Sequence, residues 1–251
     1  MILKGKQVGF SIPFNAPLYK EPPWLYRDAE ALIALVTFER ESVEPILPEG
    51  VETLGGPVMG AFWISYYPFS TLGPYYEAII AVQVGYGSNL AYYIPYIYVT
   101  NDAALAAGRE VLGAPKKLAS ILLNKGETIY GSVSRGGVKL FELELSPEGL
   151  ADEEMLRGIL QEELTLLSVR SLPPVGGKGV AQLIEWYVKT WFRKTYSNAA
   201  DAWTGSVLVR HSSGVSDPIG ELRVHEVLGG FYVVMDMELG VKGIVREWML
   251  T

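Results

Sequence analysis

Residues 101–120 read NDAALAAGREVLGAPKKLAS, and how this stretch is read decides what the rest of the chain builds. An Asn-Asp start suits the cap of a helix, the alanine-rich body favours one, and Gly113 stops it, so a short helix is predicted over 102–111. The apolar continuation after Pro115 predicts a strand, which sets Lys116 and Lys117 at its beginning. Most of the remaining chain reads as strand too: runs rich in Val, Ile, Tyr and Phe, bounded by Gly, Pro, Asn and Ser. These predict strands at 31–39, 58–67, 76–85, 91–99, 117–123, 128–134, 138–145, 164–171, 180–193, 203–210 and 221–239, the last with a break near Gly229-Gly230. A second helix is predicted within SPEGLADEEMLRGILQEEL, 146–164, which has acids in its first turn and Leu150, Met155, Leu156, Ile159 and Leu160 near helical spacing. ESVEPILPEG adds a single turn before Pro48. The expected fold is mainly β (α+β): a large antiparallel sheet closed into a barrel or cone, with a few covering helices.

No repeat, low-complexity tract or linker divides the chain. SLPPVGGKG at 171–179 is the best loop, but strands continue on both sides, so residues 1–251 are expected to form a single domain. Hydrophobic residues make up 49% and charged residues 20%, enough apolar material for a sizeable core and too much for disorder. The net charge of −7 comes with Lys and Arg scattered rather than clustered, which argues against a nucleic-acid partner. MILKGKQVGFSIPF contains no long apolar run, and LAYYIPYIYV at 90–99 is too short to span a bilayer, so neither leader nor membrane segment is expected. The chain has no cysteine, compatible with a reducing compartment, and cytoplasm is the default.

The common signatures are missing. His211 and His225 stand at no metal-ligand spacing, so no metal site is expected. GYGSNL at 85–90 lacks the third glycine of a dinucleotide loop, VGGKGV misses the phosphate-loop spacing, and there is no GxSxG elbow. The aromatic run WISYYPFSTLGPYYE at 63–77 can be a cleft for a sugar or hydrophobic ligand, an aromatic core or a subunit interface.

The lysine pair holds the remaining chemistry. Lysine is a nucleophile only as the free amine, and at an ordinary pKa near ~10.4 about one molecule in several thousand is neutral at pH 7. Desolvation or a neighbouring cation can depress that pKa. Adjacent side chains on a strand point to opposite faces, so desolvation is the better route, with one lysine inward and one outward. A depression of about three to four units costs roughly 4 to 5.5 kcal/mol. For an arbitrary protein, the alternative is a solvated turn at the start of a strand.

GREVLGAPKKLA resembles the signature of the acetoacetate decarboxylase family, in which a Gly-Arg-Glu helix end leads to Pro-Lys-Lys, whose first lysine forms a Schiff base. FERESVEPILPEGVE at 38–52, YYEAII at 75–80 and DAWTGSVLV at 201–209 resemble further family segments, in the family's order and over nearly the whole chain. The resemblance implies that Lys116 is the Schiff-base lysine, Lys117 its neighbour and Glu77 the active-site glutamate. Arg27 is the best match to the family's essential arginine, across a small gap. Arg109 is read as a structural ion-pair partner. Where acetoacetate decarboxylases carry a second glutamate, before the Tyr-x-Glu strand, this sequence has Phe62 or Trp63.

The implied activity is decarboxylation of a β-keto acid such as acetoacetate through an imine on Lys116, with Arg27 holding the substrate carboxylate or Glu77, and with no metal or organic cofactor required. Activation of this lysine by desolvation or a neighbouring cation is a known device of acetoacetate decarboxylase and is implied for this chain by the resemblance alone. Two other readings stay open: a Schiff-base aldolase-dehydratase or related lyase acting on a larger keto acid, and a barrel that binds a hydrophobic ligand without chemistry. The expected partner is a small keto acid, and the resemblance implies a homo-oligomer.

Overall fold

A computed structural model describes residues 8–250; residues 1–7, the first half of MILKGKQVGFSIPF in which no leader is expected, lie outside it. The strands are β1 (Trp24–Phe38), β2 (Val58–Tyr67), β3 (Phe69–Ser70), β4 (Tyr75–Tyr86), β5 (Asn89–Val99), β6 (Lys116–Leu118), β7 (Ser120–Lys125), β8 (Ile129–Arg135), β9 (Val138–Leu150), β10 (Glu163–Ser171), β11 (Gly179–Phe192), β12 (Ala202–His211) and β13 (Val224–Leu250). Helices are short: α1 (Arg40–Val43), α2 (Asp102–Ala107) and α3 (Glu153–Leu160).

Pairing runs β1–β2–β4–β5–β10–β11–β13 and returns from β13 to β1, so these strands close a ring. The long β13 makes this possible, pairing with β1 over Val224–Leu239 and with β11 over Met235–Leu250. Gly229, at φ 143°, stands where the register with β1 shifts, between its pairing with Leu35 and that of Val227 with Val36; only glycine adopts that conformation without strain. A second arm leaves the ring at β13 and continues β12–β9–β8–β7.

Two cores result, and their division explains the sequence pattern. Inside the ring lie Tyr26, Ile33, Tyr67, Ile97, Trp186, Phe231 and Met235. Between the ring and its arm lie Leu32, Ala34, Phe38, Phe62, Ile64, Phe141 and Leu143. β1 is buried on both faces, so ALIALVTF reads as a continuous apolar run instead of alternating.

Several expectations need correction. The sheet is not purely antiparallel, because β5 pairs in parallel with both β10 and β6. Residues 146–150 belong to β9, and α3 begins only after Asp152, whose carboxylate accepts the Glu154 N–H at 2.7 Å. The predicted 117–123 strand is two strands separated at Ala119, and β1 starts at Trp24, well before residue 31. Among the described residues no helix is long and apolar enough to cross a membrane.

Candidate active site

α2 begins as the sequence predicts, with the Asn101 side chain accepting the Ala104 N–H at 2.9 Å. It ends earlier, at Ala107, and a wider π-helical turn over Gly108–Leu112 follows. Gly113, at φ 72°, stops the turn, and the chain enters β6 alongside β5.

Because β5 and β6 run parallel, residues in register share a face. Lys116 pairs with Ile97, which faces the ring interior, and Lys117 pairs with Tyr98, which faces the other way. Lys116 is 3% exposed. Its Nζ donates to Glu77 Oε2 at 2.6 Å and lies 5.8 Å from the centre of the Tyr75 ring. Lys117 instead reaches Asp217 Oδ1 at 2.8 Å, where the Tyr98 hydroxyl also donates at 2.9 Å, while Arg135 lies 3.3 Å from Oδ2. Burial works against ionisation of Asp217, but the hydrogen bonds from Lys117 and Tyr98, with the charges of Lys117 and Arg135, hold its carboxyl below the usual range. The two lysines thus serve different places: one the interior, the other a clamp that ties β6 to the segment before β13.

Glu77 occupies the inward face of β4 and is 4% exposed. Its second oxygen accepts the Tyr67 hydroxyl at 3.1 Å. Tyr26 and Tyr75 share a hydrogen bond of 3.1 Å beside it, and the Tyr26 and Tyr67 rings are 4.8 Å apart. Burial, reinforced by the negative charge of Glu77, pushes the Tyr67 and Tyr75 hydroxyls well above the ordinary tyrosine value and raises Tyr26 as well. All three stay protonated; Tyr67 donates to Glu77, and one of Tyr26 and Tyr75 donates to the other.

From Glu77 and Tyr67 a cavity of about 240 Å³ extends through the ring interior. Ile33, Ala61, Trp63, Ile79, Leu166 and Met237 are among its walls, and α3 covers one side with Gly158, Ile159 and Leu160. The register assigns Trp63, not Phe62, to the cavity. Trp63 donates to Ser65 Oγ and packs against the interior, whereas Phe62 lies in the outer core against Phe38 and Phe141.

Arg27 is not brought to this group. It follows the inward Tyr26 and therefore faces outward, with its side chain 63% exposed and Nη1 at 2.5 Å from Asp236 Oδ2. Among the described residues no arginine lines the cavity. Arg109 donates to the Lys116 carbonyl at 3.2 Å and, among the described residues, has no carboxylate within ion-pair reach, so it braces β6 through a backbone contact and not through the ion pair expected. Glu110 accepts the Tyr19 hydroxyl at 2.5 Å, anchoring the N-terminal segment on the π-helical turn.

Tyr67 and Tyr75 sit within the aromatic run noted in the sequence, but nothing there singles them out. The available signal is period two: Trp63, Ser65 and Tyr67 on one strand, and Tyr75, Glu77, Ile79, Ala81 and Gln83 on the next, which face each other only once Ser65 is paired with Glu77.

Gly108 controls where the Lys116 stem lies. A Cβ at residue 108 would stand 2.4 Å from Lys116 Cδ and 2.6 Å from Cε. Alanine is the better helix former by roughly 1 kcal/mol, so Gly108→Ala is expected to keep its melting temperature while displacing the amine. The rate of borohydride trapping at Lys116 should fall by about tenfold or more; an unchanged rate would show that this contact does not hold the lysine.

By family the chain is a lyase. Residues 11–248 match the family Acetoacetate decarboxylase (ADC), and the chain belongs to that family. It is 25% identical to Acetoacetate decarboxylase 2 of Mesorhizobium japonicum over 97% of this chain and 91% of that protein. It is 26% identical to the acetoacetate decarboxylase of Burkholderia vietnamiensis, over 96% and 95% respectively. In fold it is similar to the crystal structure of acetoacetate decarboxylase from Legionella pneumophila, with a TM-score of 0.84 and 23% identity over 99% of both chains. It is similar as well to the enduracididine biosynthesis enzyme MppR, complexed with the condensation product of pyruvate and imidazole 4-carboxaldehyde, with a TM-score of 0.75 and 18% identity over 98% of both chains.

Proposed function

We propose that this chain is a decarboxylase of β-keto acids that works through an imine on Lys116. The observation that carries the reading is the buried Lys116–Glu77 pair, 2.6 Å apart, whose glutamate lines the end of an apolar cavity. Glu77 is the base that takes a proton across that hydrogen bond and leaves Lys116 a neutral amine. The amine adds to the ketone carbon and water leaves, giving a protonated imine, the electron sink by which such lysines act. The bond to the carboxylate breaks, its electron pair passes to the imine nitrogen to form an enamine, and carbon dioxide departs. Protonation of the enamine at carbon and hydrolysis then release the ketone and restore the lysine. Tyr67, held protonated, donates to Glu77 and steadies its charge as the proton moves. Lys117 positions β6 through Asp217 and does not touch the substrate.

Acetoacetate is the substrate suggested by the names of the relatives. A second reading uses the same imine for aldol-type chemistry on a larger keto acid, favoured by Trp63 on the wall where the family resemblance leads one to expect a carboxylate. Incubation with a β-keto acid and sodium borohydride, followed by peptide mass spectrometry, tests both, with carbon dioxide measured in the untrapped reaction. An adduct on Lys116 with gas release supports decarboxylation. An adduct without gas moves the assignment to the aldol-type reading, and no adduct with any keto acid removes both.

The reading further includes a single catalytic domain in the cytoplasm and a homo-oligomer, the last supported by exposed Ile244, Val245 and Met249 near the end of β13.

A further inference from the structure

The cavity is polar at its two ends and apolar between them. At the deep end are the Glu77 carboxylate and the Tyr67 hydroxyl, both nearly inaccessible. At the other are Gln83, whose amide donates to the Tyr92 hydroxyl at 3.4 Å, and Met59, 39% exposed. Glu77, Ile79, Ala81 and Gln83 succeed one another on the inward face of β4, so this wall runs roughly 20 Å at ~3.3 Å per residue. Burial relaxes along it, from Glu77 to the half-buried Ile79, Ala81 and Gln83, which marks the Met59 and Gln83 end as the mouth.

Midway, Ala61 and Ala81 are direct cross-strand partners and both line the cavity. Two methyl groups face each other where larger side chains would close the passage. The space of about 240 Å³ holds roughly eight waters at ~30 Å³ each, yet between its ends the polar side-chain atoms of the lining, the Trp63 and Trp186 indole N–H groups, are already bonded to Ser65 and Ser168. Among the described residues the lining contains no Arg, Lys or His, Lys116 being bonded to Glu77 without itself lining the space, so past the Glu77 end nothing there recognises a second anionic group.

We infer that the substrate carries a hydrocarbon arm, alkyl or aryl, on the far side of its ketone, and that this arm lies along β2 and β4 between Ala61 and Ala81 toward the Met59 and Gln83 mouth. This rests on the Schiff-base reading of Lys116 and names the substrate class for it: a β-keto acid with an extended apolar substituent, rejecting a second carboxylate or a polyhydroxylated chain. Trp63 flanks the arm where it leaves the reacting centre, its indole fixed by Ser65.

The test compares acetoacetate, 3-oxohexanoate and 3-oxooctanoate by kcat/KM for carbon dioxide release and by rate of borohydride trapping at Lys116, in the wild type and in Ala81→Leu. Each added methylene is expected to raise both rates by about two- to fourfold, from ~0.8 kcal/mol of burial per methylene at most. Ala81→Leu should lower the 3-oxooctanoate rates by about tenfold or more and the acetoacetate rates by much less, so that the preference for the longer acid shrinks or inverts. Ala61→Leu fills the same space from the opposite strand and serves should the first variant fold poorly. Trapping at Lys116 with a flat or falling chain-length series overturns the inference and leaves the Schiff base intact. Absence of trapping with every acid overturns the Schiff-base reading and this inference with it.

Discussion

Lys116→Ala is expected to abolish the borohydride-trapped adduct and to lower keto-acid turnover by a factor on the order of a thousand or more, because the imine has no other route. Lys117 cannot substitute, since it faces the opposite side of β6 and is held by Asp217. Lys117→Ala should therefore keep the adduct on Lys116. Its cost should fall on stability, through the Asp217 carboxylate left buried with fewer donors, about 1–3 kcal/mol. Peptide mapping of both variants decides the matter: an adduct on Lys117 in Lys116→Ala would show that the two amines share one cavity, contrary to the parallel register of β5 and β6.

The second large effect is on folding. Glu77→Leu leaves the Lys116 ammonium buried without its counter-ion, which costs about 3–5 kcal/mol. For a chain of this length each kcal/mol moves the melting temperature by roughly 2–4 °C, so a fall of about 6–20 °C is expected. The double variant Glu77→Leu with Lys116→Met removes both charges and should recover most of that loss, since well-packed apolar replacements of a buried pair are often neutral. Calorimetry of the two single variants and the double closes the cycle. Additive losses would mean that the 2.6 Å pair contributes nothing as a pair, and would remove Glu77 as the group that governs the lysine's proton.

These expectations draw unequally on sequence and structure. GREVLGAPKKLA named Lys116 through a local motif, and YYEAII named Glu77 in the same way. Both are short-range patterns, carried by a helix end and a strand, and so survive being read without coordinates. Arg27 shows where such reading stops. Its assignment rested on a gapped match, while strand alternation turns it outward beside the inward Tyr26. The same rule separates Trp63 from Phe62, two neighbours the sequence left equivalent.

By itself the sequence determined a mainly β chain, the helix leading to the lysines, the opposite directions of Lys116 and Lys117, and the candidate lysine and glutamate. Each of these follows from local propensity, period-two alternation or a contiguous motif. Only the tertiary structure decided that β13 closes the ring, that β5 pairs in parallel with β6 and β10, that Ser65 stands opposite Glu77, and that Ala61 and Ala81 leave a passage between them. Those are matters of register between strands far apart in the chain. A shift of one residue exchanges the faces of a whole strand, and no local pattern records which register the two cores prefer.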